Sequence, residues 1–534
     1  MTALGSCNAL SSKAVIVNEV TTIASAWALA PFAANNPWTG KSSLLYLGSS
    51  SSNAVGLANA FASVNNLVDI TTGQARFWVP AGNAAAPYIT LNTLADVLNS
   101  CTSTTGGVEG DGSACDGLLT NTDALSYQPS YNPTAPTDTL QAAFNIAQHP
   151  GSGGGFGYQL GAPSTFLSMV SLASPFQPIL TAAPSDWALS LHFTGGGGLS
   201  SSSSANYFAI DATGNLWITD SNAGTVVEWN NTGAAASSAG YAAGGGPIAV
   251  DASGNVWISG DTQLRELDST GDAVQGSPFV GVSGGGIDMA FDASSYLWIT
   301  NTAGIAKFDS VGTVISPLKG YSLDGYSSIG SVAIDGSNNV RVAALSSAGY
   351  WGIADLFESS GDLETETSLT SLTQGGNQMA MDGAGNVWVP TGTLATQANL
   401  CKLPAYAGAG SSLFPTCYAG GPASGTPGIG SIVLPEGIAV DGAGTLWITN
   451  KGGGYSNAAP YLTEVIPAQL SNYNYASFGS SSLAAGPLRV AVDNSGNVWV
   501  LLADNTITEY VGVATPAVTP IAAAVAKNKL GVQP

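Results

Sequence analysis

The sequence predicts a mainly β protein: a seven-bladed β-propeller preceded by a smaller, mostly α-helical N-terminal domain. Three observations carry this expectation. One hairpin pattern recurs seven times in the second half of the chain. Each copy is followed by a third apolar stretch and, in several copies, by a weaker fourth. The first part of the chain lacks the pattern and shows helical spacing instead.

Aligned on an aspartate, the copies are centred on Asp211, Asp251, Asp292, Asp335, Asp382, Asp441 and Asp493. Alanine stands two residues before each: Ala209, Ala249, Ala290, Ala333, Ala380, Ala439 and Ala491. Six residues after it stand Trp217, Trp257, Trp298, Trp388, Trp447 and Trp499, while the fourth copy carries Arg341 there. In "PIAVDASGNVWISG" (247–260) the apolar residues flank a turn, as in a β-hairpin. The register places Val250 opposite Val256, Ala249 opposite Trp257 and Ile248 opposite Ile258. An aspartate that opens a turn accepts hydrogen bonds from backbone N–H groups two or three residues on. Gly254 takes a positive φ that other residues resist. Turn chemistry thus accounts for the seven aspartates without a repeated catalytic or metal-binding role.

Third strands follow at "TVVEWN" (225–230), "QLRELD" (263–268), "GIAKFD" (304–309), "IADLFE" (353–358), "NLCKLP" (399–404), "YLTEVI" (461–466) and "TITEYV" (506–511). A repeated meander of up to four strands is a propeller blade. "DWALSLHFTGG" (186–196) precedes the first hairpin and has none of its own. It is expected to supply the outer strand of the last blade, because an open sheet edge is a liability. Before it, helical spacing covers 18–32, 52–70, 90–101 and 137–151. The expected organisation is a helical domain with a Gly- and Ser-rich connector over 1–180, a propeller over 181–515 and a tail over 516–534.

Composition narrows the function classes. Only 9% of residues are charged, acidic residues outnumber basic ones 34 to 12, and the net charge is -22. A nucleic-acid binder needs a basic footprint, and anionic membranes repel such a chain. The most apolar early stretch is broken by Asn18, Glu19 and Pro31, so no membrane span is expected. "MTALGSC" has neither the basic start nor the apolar run of a secretion signal. Cys101 with Cys115, and Cys401 with Cys417, read as local disulfides of an oxidising compartment. Cys7 is left over, free or paired outside the chain. The expected location is extracellular or at the cell surface.

"GIAVDGAGTLWITN" (437–450) resembles an NHL repeat, and residues 185–515 resemble the streptogramin-lyase-like propellers. That resemblance implies chemistry at one mouth of the central channel, carried in the lyases by histidine and glutamate with a divalent metal. Here the hairpins contain no histidine; His192 lies on the closing strand and His149 near a helix end. The N-terminal part resembles that of secreted bacterial proteins which join such a segment to NHL-like repeats.

Residues leading into the first strands would line the channel mouth: Asp288, Asn377, Gln378, Glu436 and Arg489. Loops after the second strands add Asp220, Asn222, Asn301, Asn450 and Lys451. Such groups offer oxygen ligands or hydrogen bonds to a sugar or peptide; the plain alternative is that they are solvated loop residues. Arg341 is either a ligand contact at a blade seam or one half of an ion pair. The insertions 391–431 and 451–487 have the Tyr, Asn and Gly content of carbohydrate or protein contacts. No Ser-His-Asp set or phosphate-cradling loop stands out. The expectation is a non-enzymatic extracellular binding or assembly protein with a protein or carbohydrate partner and no cofactor. The alternatives are a metal-dependent lyase or lactonase, for which calcium would be the ion, and a self-assembling surface or filament subunit.

Overall fold

The structure is a computed structural model that describes residues 1–4, 14–35, 45–122, 136–151, 161–200, 207–260, 262–281, 285–302, 304–317, 320–323, 325–347, 349, 351–356, 363–372, 378–391, 399–405, 415–419, 432–452, 459–472, 475–479 and 483–534. Cys7, Asn377 and parts of the insertions 391–431 and 451–487 lie outside the described residues.

Seven antiparallel meanders form the blades, opening at Phe208, Ile248, Gly286, Tyr326, Ala380, Pro435 and Pro487. The hairpin register is the one the alternation predicts, with Ile248 opposite Ile258, Ala249 opposite Trp257 and Val250 opposite Val256. Blades 2, 4, 5 and 6 have four strands. In blades 1 and 3 the fourth strand shrinks to isolated bridges, Val226 with Tyr241 and Ile305 with Tyr321 among them.

Ser190–Phe193 pairs with Ile507–Tyr510 as the outer strand of blade 7, so the ring is closed by chain from both ends of the propeller. Ala84–Ala85, from the N-terminal part, adds a fifth strand beyond it. Closure is also aromatic. Each tryptophan carries a ring from the outer part of its own blade: Tyr241 on Trp217, Phe279 on Trp257, Tyr321 on Trp298, Tyr418 on Trp388 and Phe478 on Trp447. In blade 7 that ring is Phe193, 5.8 Å from Trp499 between centroids.

The aspartate does more than the turn requires. Asp251 Oδ1 accepts the N–H groups of Ser253 (2.8 Å) and Asn255 (2.9 Å), two and four residues on. Its Oδ2 accepts the indole N–H of Trp257 at 3.2 Å. The same indole bond recurs from Trp217, Trp298, Trp388, Trp447 and Trp499. One carboxylate therefore fixes both the turn and the large side chain that fills the blade. Three residues after the aspartate the backbone is left-handed in every copy, including Ser295 and Asn338 at φ 65°.

A charged residue sits across the strand from each tryptophan: Glu228, Glu266, Lys307, Lys402, Glu464 and Glu509. The lysines lie over the indole faces, Lys307 at 4.5 Å from Trp298 and Lys402 at 5.5 Å from Trp388. Burial, assisted by the turn aspartate, raises the glutamates: Glu266 to about 7 and Glu464 to about 8, with Glu509 well above the usual range. In blade 4 the position of tryptophan is taken by Arg341, and its cross-strand partner is Asp355. The two pair at 2.8 Å, and Arg341 also donates to the Pro404 carbonyl of blade 5 at 2.9 Å.

The four predicted helices are α1 (Glu19–Leu29), α2 (Ala54–Leu67), α3 (Tyr88–Thr102) and, after α4 (Ala114–Thr120), α5 (Thr139–Gln148). Two short ones were not predicted: α4, which starts where the Gly-rich stretch between Cys101 and Cys115 ends, and α6 (Pro163–Leu167). The Cys101–Cys115 disulfide ties α3 to α4, and Cys401–Cys417 links adjacent strands of blade 5. Both are consistent with a non-reducing environment. Among the described residues no helix is long and apolar enough to cross a membrane. Helix α2 sits against the turns of blades 1 and 7, where Asn53 donates to the Asn494 carbonyl and Asn59 to that of Thr213.

Candidate functional site

The inner strand of each blade is hydrogen-bonded on one side only, so its other backbone edge faces the channel. Where the seven copies disagree most, four residues before the aspartate, they place Tyr207, Pro247, Asp288, Ser331, Gln378, Gly437 and Arg489. These positions form a ring at one end of the channel. Its long side chains reach over its short ones. Tyr207 donates across blade 2, where the ring residue is Pro247, to the Ile287 carbonyl at 2.9 Å. Gln378 crosses blade 6 above Gly437; it donates to the Val490 carbonyl at 3.1 Å and accepts the Val490 N–H at 3.3 Å. A Cβ on Gly437 would stand 2.9 Å from the Gln378 side-chain oxygen Oε1, so glycine is what lets it pass.

The charged members of the ring are Asp288 and Arg489. The Arg489 guanidinium lies 4.3 Å from the centroid of the Tyr207 ring. Asp288 accepts the N–H of Met289 at 3.0 Å through one oxygen and that of Val332 at 3.1 Å through the other. Burial raises its pKa, opposed by the charge of Arg489 and by these two bonds. Burial also raises Tyr207, again opposed by Arg489, so it stays a phenol.

The opposite end of the channel is closed by the C-terminal segment. The Thr515 N–H donates to Asp441 Oδ2 at 3.1 Å, and the Ala517 N–H to the Asp493 carbonyl at 3.0 Å. Helix α7 (Ile521–Ala526) then lies against the inner strands of blades 2 and 3, with Ala522 packed into their cluster. Asn528 passes Gly336, Leu530 passes Gly383 and Pro516 lies on Gly442. Each of these glycines follows its turn aspartate, where the other copies have Ala212, Ala252, Ala293 and Asn494. A Cβ on Gly383 would come within 2.6 Å of the Leu530 carbonyl oxygen. The three glycines thus clear the path of the tail. Between ring and tail remains a cavity of about 220 Å³, with walls such as Ile248, Met289, Val332, Met379, Ile438 and Val490.

Of the residues singled out in the sequence, Asp288, Gln378 and Arg489 meet in this ring; Asn377 falls outside the described residues. Glu436 is next to it in sequence but pairs with Lys451 at 2.6 Å. Asp220, Asn301 and Asn450 are buried and hold local backbone: Asp220 accepts from Ser200, Asn222 and Ala223, Asn301 from Gly304, and Asn450 from Val433. His192 meets Thr508 at 3.2 Å, and desolvation of the half-buried His149 lowers its pKa to about 4. Tyr207 was missed; reading the copies down the fourth column before the aspartate would have found it.

A calcium ion takes six to eight oxygens. The ring offers one carboxylate, already accepting two N–H groups beside a guanidinium, and so does not fit a divalent cation. Among the described residues no three His, Cys, Asp or Glu side chains are grouped to hold a metal.

No family profile and no curated protein matches the chain. Among solved structures it is similar to a streptogramin B lyase, at 14% identity over 60% of this chain and 97% of that one, with a TM-score of 0.45. It is similar to virginiamycin B lyase from Staphylococcus aureus, at 13% identity over 57% and 94% of the two chains, TM-score 0.44. A gluconolactonase from Xanthomonas campestris shares 12% identity over 60% and 89%, TM-score 0.36.

Proposed function

We propose that the protein is a non-enzymatic, extracellular binding scaffold that takes its ligand at the ring end of the propeller channel. The observation that carries this reading is the state of Asp288. It is the one carboxylate of the ring, and each of its oxygens holds a backbone N–H of the inner strands, which gives it a structural task. A general base needs a carboxylate open to the substrate proton, and acid–base work needs a second titratable partner. No histidine stands among the described residues lining the channel, and Glu436 is tied to Lys451. Two disulfides and a weakly charged, acidic composition support an extracellular setting, where proteins and carbohydrates are the available partners.

The test is turnover. With dihydrocoumarin as a simple lactone, with and without added calcium, hydrolysis at the rate of buffer alone is expected. Saturable hydrolysis that disappears in Asp288→Asn would establish the lactonase reading instead.

A further inference from the structure

We infer that the cavity between the ring and the tail receives a small apolar group ending in a carboxylate. The inference rests on the binding reading above and names the ligand class for the same site.

The size of the space sets the first limit. A cavity of about 220 Å³ is modestly larger than an engineered apolar cavity of roughly 150 Å³ that takes up benzene, so it suits a compact group. Its walls come from alanine, valine, isoleucine and methionine side chains of the inner strands. They favour an apolar body over a hydroxylated one, whose polar groups would lose water without enough partners.

Charge sets the second limit. The chain as a whole carries -22, yet the charged residues lining this cavity are Arg489, Lys529 and Asp288, two cations against one carboxylate. The Asp288 carboxylate is already engaged by the N–H groups of Met289 and Val332, which offset part of its charge locally. Within a chain of net negative charge, this lining is locally cationic and so favours an anion. Arg489 is positioned rather than loose: its guanidinium lies on Tyr207, which is anchored in turn to the Ile287 carbonyl. An arginine so held is pre-organised for a planar carboxylate. Tyr207 also supplies an aromatic surface at the ring.

This chemistry has two sources, a free small acid or the C-terminus of a peptide. Calorimetric titration of the unaltered protein at pH 6 separates them with 3-phenylpropionate and N-acetyl-Ala-Leu as probes, each beside its neutral amide. Saturable binding of at least one acid is expected, with its amide at least tenfold weaker; the tighter acid identifies the source. Arg489→Met is expected to weaken binding at least tenfold, and Arg489→Lys to restore part of it. Ala524→Leu, which fills the cavity from α7 and leaves Arg489 in place, is expected to abolish it. The inference is overturned if neither acid binds, if acid and amide bind equally, or if binding survives the filled cavity. The acid–amide comparison needs no variant, so a misfolded mutant does not obscure it. Absence of acid binding would leave the non-enzymatic reading standing, since that reading falls only to turnover.

Discussion

Phe193 stacks on Trp499 with ring centroids 5.8 Å apart, although one residue precedes the first hairpin of the propeller and the other belongs to the last. Phe193 also lies 5.9 Å from Trp229 of blade 1, so a single ring bridges the two blades between which the circle closes. Phe193→Ala is predicted to cost about 3–5 kcal/mol, as for other buried aromatics truncated in a core. Phe279→Ala, which uncovers Trp257 inside one blade, is predicted to cost less, because Phe279 is only half-buried. Chemical denaturation of both variants checks the order.

The indole–aspartate bond makes a second prediction. Trp257→Phe keeps an aromatic ring but leaves Asp251 Oδ2 without its indole donor. Loss of one hydrogen bond to a buried charged acceptor is predicted to cost about 1–3 kcal/mol. Asp251→Ala, which also releases the N–H groups of Ser253 and Asn255, is predicted to cost more. Equal stability of both variants and the parent would contradict this.

The buried glutamates give the fold a pH dependence of definite sign. Glu266 and Glu464 are raised in the folded state to about 7 and about 8, and Glu509 is also raised well above the usual carboxylate range. The folded chain therefore holds more protons than the unfolded chain between the ordinary carboxylate range and these values. Stability is full below the unfolded pKa and declines as pH rises through that window. Denaturant midpoints are predicted to fall from pH 5 to pH 8. Replacing the three glutamates with glutamine is predicted to flatten the curve and raise the midpoint at pH 8.

Arg341 and Asp355 are predicted to be tolerable only together. Arg341→Met leaves Asp355 buried without its counter-ion, at a cost of about 3–5 kcal/mol. The double change Arg341→Trp with Asp355→Glu installs the pairing of the other glutamate-bearing blades. It is predicted to recover most of the loss, as read from thermal unfolding of the single and double variants.

The tail is predicted to depend on the glycines beneath it. Gly383→Val places side-chain atoms where the Leu530 carbonyl passes. Gly442→Val does the same at Pro516. Either change is predicted to expose the C-terminal segment to limited proteolysis, whereas Ala252→Val, at the equivalent position of blade 2, is predicted to leave it protected.

The blades were legible because period-two alternation, turn aspartates and tryptophans repeat in seven copies and so reinforce one another. The closing strand 190–193 was legible because an unpaired blade edge demands a partner. The charged residues within the third strands were visible as letters, but their meaning was not: only the fold shows that each lies across from the same indole. The ring was half legible. Asp288, Gln378 and Arg489 stand out as polar residues leading into strands, whereas Tyr207 is marked only by its column. Asp220, Asn301 and Asn450 look identical to ligand-binding loop residues in sequence, since a side chain that caps its own backbone uses the same chemistry. The tail was illegible because its partners are scattered over six blades; its one signal is glycine after the aspartate in blades 4, 5 and 6.

The binding claim is tested most directly by a crystal structure of the protein saturated with whichever probe acid binds in calorimetry. The prediction is continuous density for one intact ligand between the ring and α7, with its carboxylate beside Arg489. An unaltered cavity at saturating ligand, or a ligand seated elsewhere on the protein, would contradict it.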